Sequence, residues 1–254
     1  MEGILYILIG MFGLVIGSFL NVLILRIPAK EDFVKERSHC MSCGYQLAWY
    51  DMVPVLSYLI YRGRCRNCGA KISIQYPLVE ACNAGLYLLI FYVNGLSILS
   101  SIYCLVTSAL LVIAVIDFRT FEIPLGLTIF IALMGLVCSV MDYKHIALYV
   151  FGMCSVGLVL EIIFILTGGS VIGGGDATLM MAAGLVLGWQ KIVLAFFLAC
   201  ILGAIIHSLR MKFTGADKML ALGPYLAVGI YICMVYGNQL IQWYLHISGL
   251  DYIL

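Results

Sequence analysis

Eight apolar stretches set the terms of any fold this chain can adopt: residues 4–25, 79–96, 98–116, 123–141, 146–166, 171–188, 192–209 and 224–245. A bilayer core takes roughly 20 apolar residues per helical crossing. A lipid-facing crossing must also be helical or part of a closed barrel, because lipid offers no partner to a bare backbone N–H or C=O. The pattern predicts an all-α polytopic membrane protein with about eight transmembrane helices. Composition agrees, since 64% of the residues are hydrophobic and 11% are charged, whereas soluble domains carry about a quarter charged residues. The sixth stretch is the weakest, because glycines 173–175 are poor helix formers, and a broken or re-entrant start is expected there. The first stretch has Glu2 as its only early charge and lacks the basic region of a secretory signal, so it reads as a retained anchor.

Lys and Arg favour cytoplasmic loops. Across eight crossings, one side carries Arg26, Lys30, Lys35, Arg37, Arg62, Arg64, Arg66, Lys71, Arg119, Arg210, Lys212 and Lys218, while the other carries Lys144 and Lys191. That bias predicts both termini outside, with the loops at 26–78, 117–122, 167–175 and 210–223 in the cytoplasm. Twelve of the 27 charged residues fall in residues 26–78, so the expected organisation is a first transmembrane helix (1–25), a soluble insert (26–78) and a seven-helix membrane domain (79–254). No internal repeat is visible.

The insert holds Cys40-Met-Ser-Cys43 and Cys65-Arg-Asn-Cys68, 21 residues apart. Two C-x₂-C turns present four thiolates for tetrahedral zinc, and Gly44 and Gly69 relax the backbone just after each pair. So small a segment buries too little surface to fold unaided, and metal binding would supply much of its folding free energy. Disulfides or redox dithiols are the competing reading, disfavoured by a cytoplasmic location. The other six cysteines sit singly in apolar stretches and read as small buried hydrophobes.

Ionisable groups in membrane segments mark functional sites. Asp117 ends the third stretch, ahead of Phe118-Arg-Thr-Phe-Glu-Ile-Pro124. Asp176 follows Gly173, Gly174 and Gly175 in a G-x-G-D sequence. By the topology above both lie at the cytoplasmic surface. Two carboxyl groups brought close share a proton; one can activate water while the other protonates a departing amine. The glycines would let an extended substrate backbone approach Asp176. Taken singly, each aspartate also reads as a helix-end charge, with Asp176 a possible N-cap. Glu161 lies deeper and takes no assigned role, and His207 reads as an interface histidine.

These residues resemble the bifunctional type IV prepilin peptidases, membrane aspartic proteases of the G-x-G-D type. The resemblance spans nearly the whole chain: Gly17-Ser-Phe-Leu-Asn-Val22 with Arg26-Ile-Pro28, the two cysteine pairs, Asp51-Met-Val-Pro-Val-Leu-Ser57, Arg62-Gly-Arg-Cys-Arg66, Tyr76-Pro-Leu-Val-Glu80, Asp117 in Asp-x₅-Ile-Pro, Asp176 in G-x-G-D and Gly223-Pro-Tyr-Leu226. Departures are Met52, where many members have Asn, and Leu125, where an acidic residue often follows Ile-Pro.

The resemblance implies an enzyme of the bacterial inner membrane that removes the basic leader from prepilins or pseudopilins after a glycine at the cytoplasmic face. It then N-methylates the new terminus with S-adenosylmethionine. Asp117 and Asp176 carry over as the catalytic pair, and Cys40, Cys43, Cys65 and Cys68 as zinc ligands of the methyltransferase-associated insert. Glu80 is a candidate for binding the methyl donor. The expected partners are prepilins and the lipid bilayer, with no nucleic acid. Two other classes stay open at this point: a transporter relaying protons or cations through carboxylates with a regulatory zinc module, and a zinc-stapled scaffold without chemistry.

Overall fold

A computed structural model of the chain describes residues 2–32, 38–214 and 220–249; Lys35, Arg37 and Lys218 lie outside them. The described residues form an all-α protein. The helices are α1 (Glu2–Ala29), α2 (Leu56–Ile60), α3 (Gln75–Asn94), α4 (Ile98–Thr120), α5 (Leu125–Met141), α6 (Ile146–Ser155), α7 (Gly157–Thr167), α8 (Gly174–Leu187), α9 (Trp189–Thr214) and α10 (Gly223–Ser248), with short 3₁₀ turns at Trp49–Met52 and Tyr143–His145. Among the described residues six helical spans are long and apolar enough to cross a membrane, α6 and α7 counting as one; α5 and α8 are shorter apolar helices. Each of the eight apolar stretches thus has its helical counterpart. The chain divides into two compact units, Met1–Tyr92 and Val93–Leu254.

In the first unit, α1 lies on α3 with their backbones nearly touching. A Cβ on Gly17 would come within 2.6 Å of Glu80 Cα, and one on Gly13 within 2.7 Å of Ala84 Cα. This is the small-xxx-small contact that drives helix pairing where lipid leaves no hydrophobic incentive. Polar bonds cross the same seam: Asn83 Nδ2 donates to the Gly13 carbonyl at 2.8 Å and Asn21 Nδ2 to that of Tyr76 at 3.1 Å. α1 runs four residues past its apolar stretch and takes Pro28 into its final turn.

In the second unit, α8 packs against α5, α6 and α7 and also touches α9 and α10. Fourteen residues rise only about 21 Å, short of the roughly 30 Å of a bilayer core, so α8 depends on protein contact. It is apolar nearly all round, with Ala177, Leu179, Met180, Ala182, Ala183 and Val186 buried. Glycine makes the fit possible: Gly184 meets the Gly152 backbone of α6, and Gly135 of α5 lies against Leu185. The sixth stretch becomes helical at Gly174, three residues later than its apolar start, so the break expected there is confined to residues 171–173 and two of the three glycines lie inside the helix.

Candidate active site and metal centre

Asp117 sits in the last turn of α4 and is 5% exposed. Phe121 caps that helix in the left-handed region at φ 56°, its N–H donating to the Asp117 carbonyl, a helix ending usually given to glycine. The turn at 121–124 leads into α5, with Pro124 as its N-cap rather than a residue of its first turn. That turn lies on the start of α8, since a Cβ on Gly175 would come within 2.9 Å of Ile123 Cβ. Asp176 is the third residue of α8, not its N-cap; Gly173 holds that position in extended backbone. The Asp176 carboxylate reaches back to the Gly173 N–H, the acidic half of a capping box.

Asp117 and Asp176 line one cavity of about 320 Å³, together with glycines 173–175 and residues 121–123. The carboxyl groups are within electrostatic reach of each other. α10 touches both α4 and α8, and its first residue, Gly223, donates its N–H to Asp117 Oδ2 at 2.9 Å. Glycine is required there, because a Cβ would lie 2.7 Å from the same oxygen. Sequence reading quoted Gly223 as part of a motif and missed its partner, 106 positions away. It also passed over Glu122, which adds a third carboxylate to the lining. Glu161 and His207 stand apart from this cavity.

In the first unit, the sulfurs of Cys40, Cys43, Cys65 and Cys68 all lie within 4.8 Å of one another, with Cys40 Sγ 3.9 Å from Cys68 Sγ. Tetrahedral zinc at about 2.3 Å from each sulfur sets sulfur separations of about 3.8 Å, so a slight contraction seats the ion and the donor set fits it. The two knuckles are the same turn twice. Cys40 N–H bonds the Tyr45 carbonyl and Gly44 N–H that of Cys40; Cys65 N–H bonds the Ala70 carbonyl and Gly69 N–H that of Cys65. Gly44 and Gly69 take φ of 69° and 71°, the left-handed conformation that glycine adopts freely. The Ser42 and Cys43 N–H groups pull the Cys40 thiol down to about 6. At Cys68 the Ala70 N–H acts in that direction, but the neighbouring Cys43 thiol leads the opposing effects and the group is pushed up to about 11. A cation is what brings four crowded thiols to thiolate together.

Glu80 is buried in α3, and the chain's own donors take its carboxylate: Val55 N–H at 2.8 Å and Ser18. Val55 itself is strained, with φ 59° and ψ −47°, and it forms the centre of a tight turn closed by Leu56 N–H on the Pro54 carbonyl at 2.5 Å. A β-branched residue holds such a conformation only where its surroundings enforce it.

The profile of the bacterial peptidase A24 N-terminal domain matches residues 11–94, and that of the type IV leader peptidase family matches residues 104–208. A prepilin leader peptidase/N-methyltransferase of Bacillus subtilis is 31% identical, covering 93% of this chain and 96% of the relative. The one of Aeromonas salmonicida is 30% identical over 94% and 93%. The chain belongs to the type IV leader peptidase family. A further relative of the family with the same description, from Pseudomonas aeruginosa, is 28% identical over 94% of this chain. The second profile takes in both Asp117 and Asp176, while the first takes in the α1–α3 seam and all four cysteines. No solved structure matches the chain.

Proposed function

We propose that the chain cleaves the basic leader from type IV prepilins or pseudopilins after a glycine, using Asp117 and Asp176 as a proton-sharing pair. One carboxylate draws the proton from a water as it attacks the scissile carbonyl, and the other protonates the departing amine, as in aspartic proteases. The reading rests on one observation above all: aspartates from two distant parts of the chain line a single cavity, beside a glycine-led helix start. Non-helical backbone is tolerated at membrane depth where it lines such a cavity. Gly223 N–H holds Asp117 in place, and the Gly173 peptide positions Asp176. The charge bias puts this end of the helices at the cytoplasmic face of a bacterial inner membrane.

The second step is N-methylation of the exposed amine, for which S-adenosylmethionine supplies the methyl group and the 26–78 insert, stapled by zinc on its four cysteines, is the associated domain. In this reading Glu80 anchors the insert through Val55 instead of binding the methyl donor. Mass spectrometry of a model prepilin incubated with the purified protein and S-adenosylmethionine tests both steps. Loss of the leader with a gain of about 14 Da, one methyl replacing a hydrogen, is expected. Leader loss without the gain removes the methylation step, and an unchanged substrate contradicts the proposal.

A further inference from the structure

The insert carries an inside-out helix. Leu56, Leu59 and Ile60 follow the three- and four-residue spacing of one helix face, and that face points outward, 57%, 64% and 72% exposed. The opposite side is turned inward: Tyr58 packs on Gly63, where a Cβ would lie 2.8 Å from its hydroxyl. Trp49, in the 3₁₀ turn that contacts α2, is 78% exposed. Leaving such side chains in water forgoes what burial would contribute, and an apolar occupant of this face would recover it.

Charge indicates which. Residues 52–79 contain no Asp or Glu, but they hold Arg62, Arg64, Arg66 and Lys71. Arg66 stacks on Tyr50 at 5.0 Å. Arg62, Arg64 and Lys71 are exposed, and among the described residues none of the three takes part in an ion pair. Arg64 and Lys71 stand directly opposite each other in an antiparallel bridge, where like charges repel unless an anion lies over both. The insert also leaves α1 at Ala29 and returns at Gln75 beside the same seam, between two helices apolar enough to cross a membrane, so it begins and ends at one membrane surface. A second copy of the chain fits badly, because a two-fold contact sets the patch against itself, cation on cation. A basic leader is repelled for the same reason.

We infer that Trp49, Leu56, Leu59 and Ile60 dip into the bilayer interface while Arg62, Arg64 and Lys71 bind the phosphates of anionic lipid headgroups. An aromatic at headgroup level, apolar side chains below it and cations among the phosphates is the arrangement of interfacial anchors. The insert is thereby held on the membrane surface in a lipid-dependent way.

The test uses the full chain with Trp189→Phe and Trp243→Phe, leaving Trp49 as sole reporter, in nanodiscs of zwitterionic lipid with and without anionic lipid. Lipids brominated near the top of the acyl chain quench Trp49 emission, and more strongly with anionic lipid present. Adding Arg62→Gln, Arg64→Gln and Lys71→Gln weakens the anionic preference by roughly fivefold per charge, about 1 kcal/mol each, while bound zinc stays at the unsubstituted level. Equal Trp49 emission in brominated and unbrominated discs overturns the inference. So does Trp49 that is open to aqueous iodide until prepilin is added, which makes the substrate the occupant. A triple variant with unchanged anionic preference overturns the headgroup contacts.

Discussion

Gly223 donates its backbone N–H to Asp117 Oδ2 at 2.9 Å, and its missing side chain is what allows the approach. The first residue of α10 therefore fixes a carboxylate at the end of α4. Hydrogen bonds to charged groups are worth about 1.5–3 kcal/mol, so displacing this one in Gly223→Ala should slow prepilin cleavage roughly 10- to 100-fold. The loss falls on kcat more than on KM, because a misplaced catalytic carboxyl impairs chemistry before binding. Unchanged kcat in a folded variant removes Gly223 from the site.

The bond from Val55 N–H to Glu80 makes a second prediction. Glu80→Ala leaves two half-buried donors, the Val55 N–H and Ser18, without their acceptor, at a cost of about 1 kcal/mol each, and releases the strained turn. The insert should then be cut faster in limited proteolysis, and methylation should fall further than leader cleavage. Glu80→Gln keeps an acceptor oxygen and should restore most of the protection. Equal loss of both activities contradicts the assignment of Glu80 to the insert.

Cys40→Ser with Cys43→Ser should abolish zinc binding by elemental analysis and make residues 26–78 protease-sensitive, since binding free energy at such sites is folding free energy. Helix content of the second unit should survive. Metal content equal to the unsubstituted protein refutes the four-cysteine site.

Gly17→Val places a branched side chain where Glu80 Cα stands. Overpacking costs about 1–3 kcal/mol, and here it pushes α1 from α3 and disturbs Glu80 as well. Lower thermal stability together with reduced methylation is expected; wild-type behaviour in both would show that the seam tolerates separation.

The membrane helices were legible because lipid enforces apolar runs, and the cysteine knuckles because metal geometry fixes spacing and the following glycine. The start of α8 was legible as a weakness in the apolar pattern, though not as the residue Gly173 that caps it. Contacts made across long separations were not. Nothing local to Gly223 indicates Asp117, and nothing in Asp51-Met-Val-Pro-Val-Leu-Ser57 suggests a γ-turn on a β-branched residue, a conformation that Val adopts only because Glu80 and the surrounding insert hold it. Nor does anything local to Gly175 indicate that a Cβ there would meet Ile123, since that contact depends on how the turn before α5 lies on the start of α8. Asn83 was missed for the same reason, since a lone asparagine in an apolar stretch gives no sign of the Gly13 carbonyl it bonds.

The most direct test of the central claim is cleavage of a model prepilin by Asp117→Asn and Asp176→Asn, each purified in detergent with helix content and zinc equal to the unsubstituted protein. The asparagine side chain keeps size and polarity but cannot exchange the proton the mechanism requires. Both variants should leave the leader attached, while still methylating a pre-cleaved pilin peptide. Leader removal by either variant at a rate near that of the unsubstituted protein would contradict the two-aspartate account.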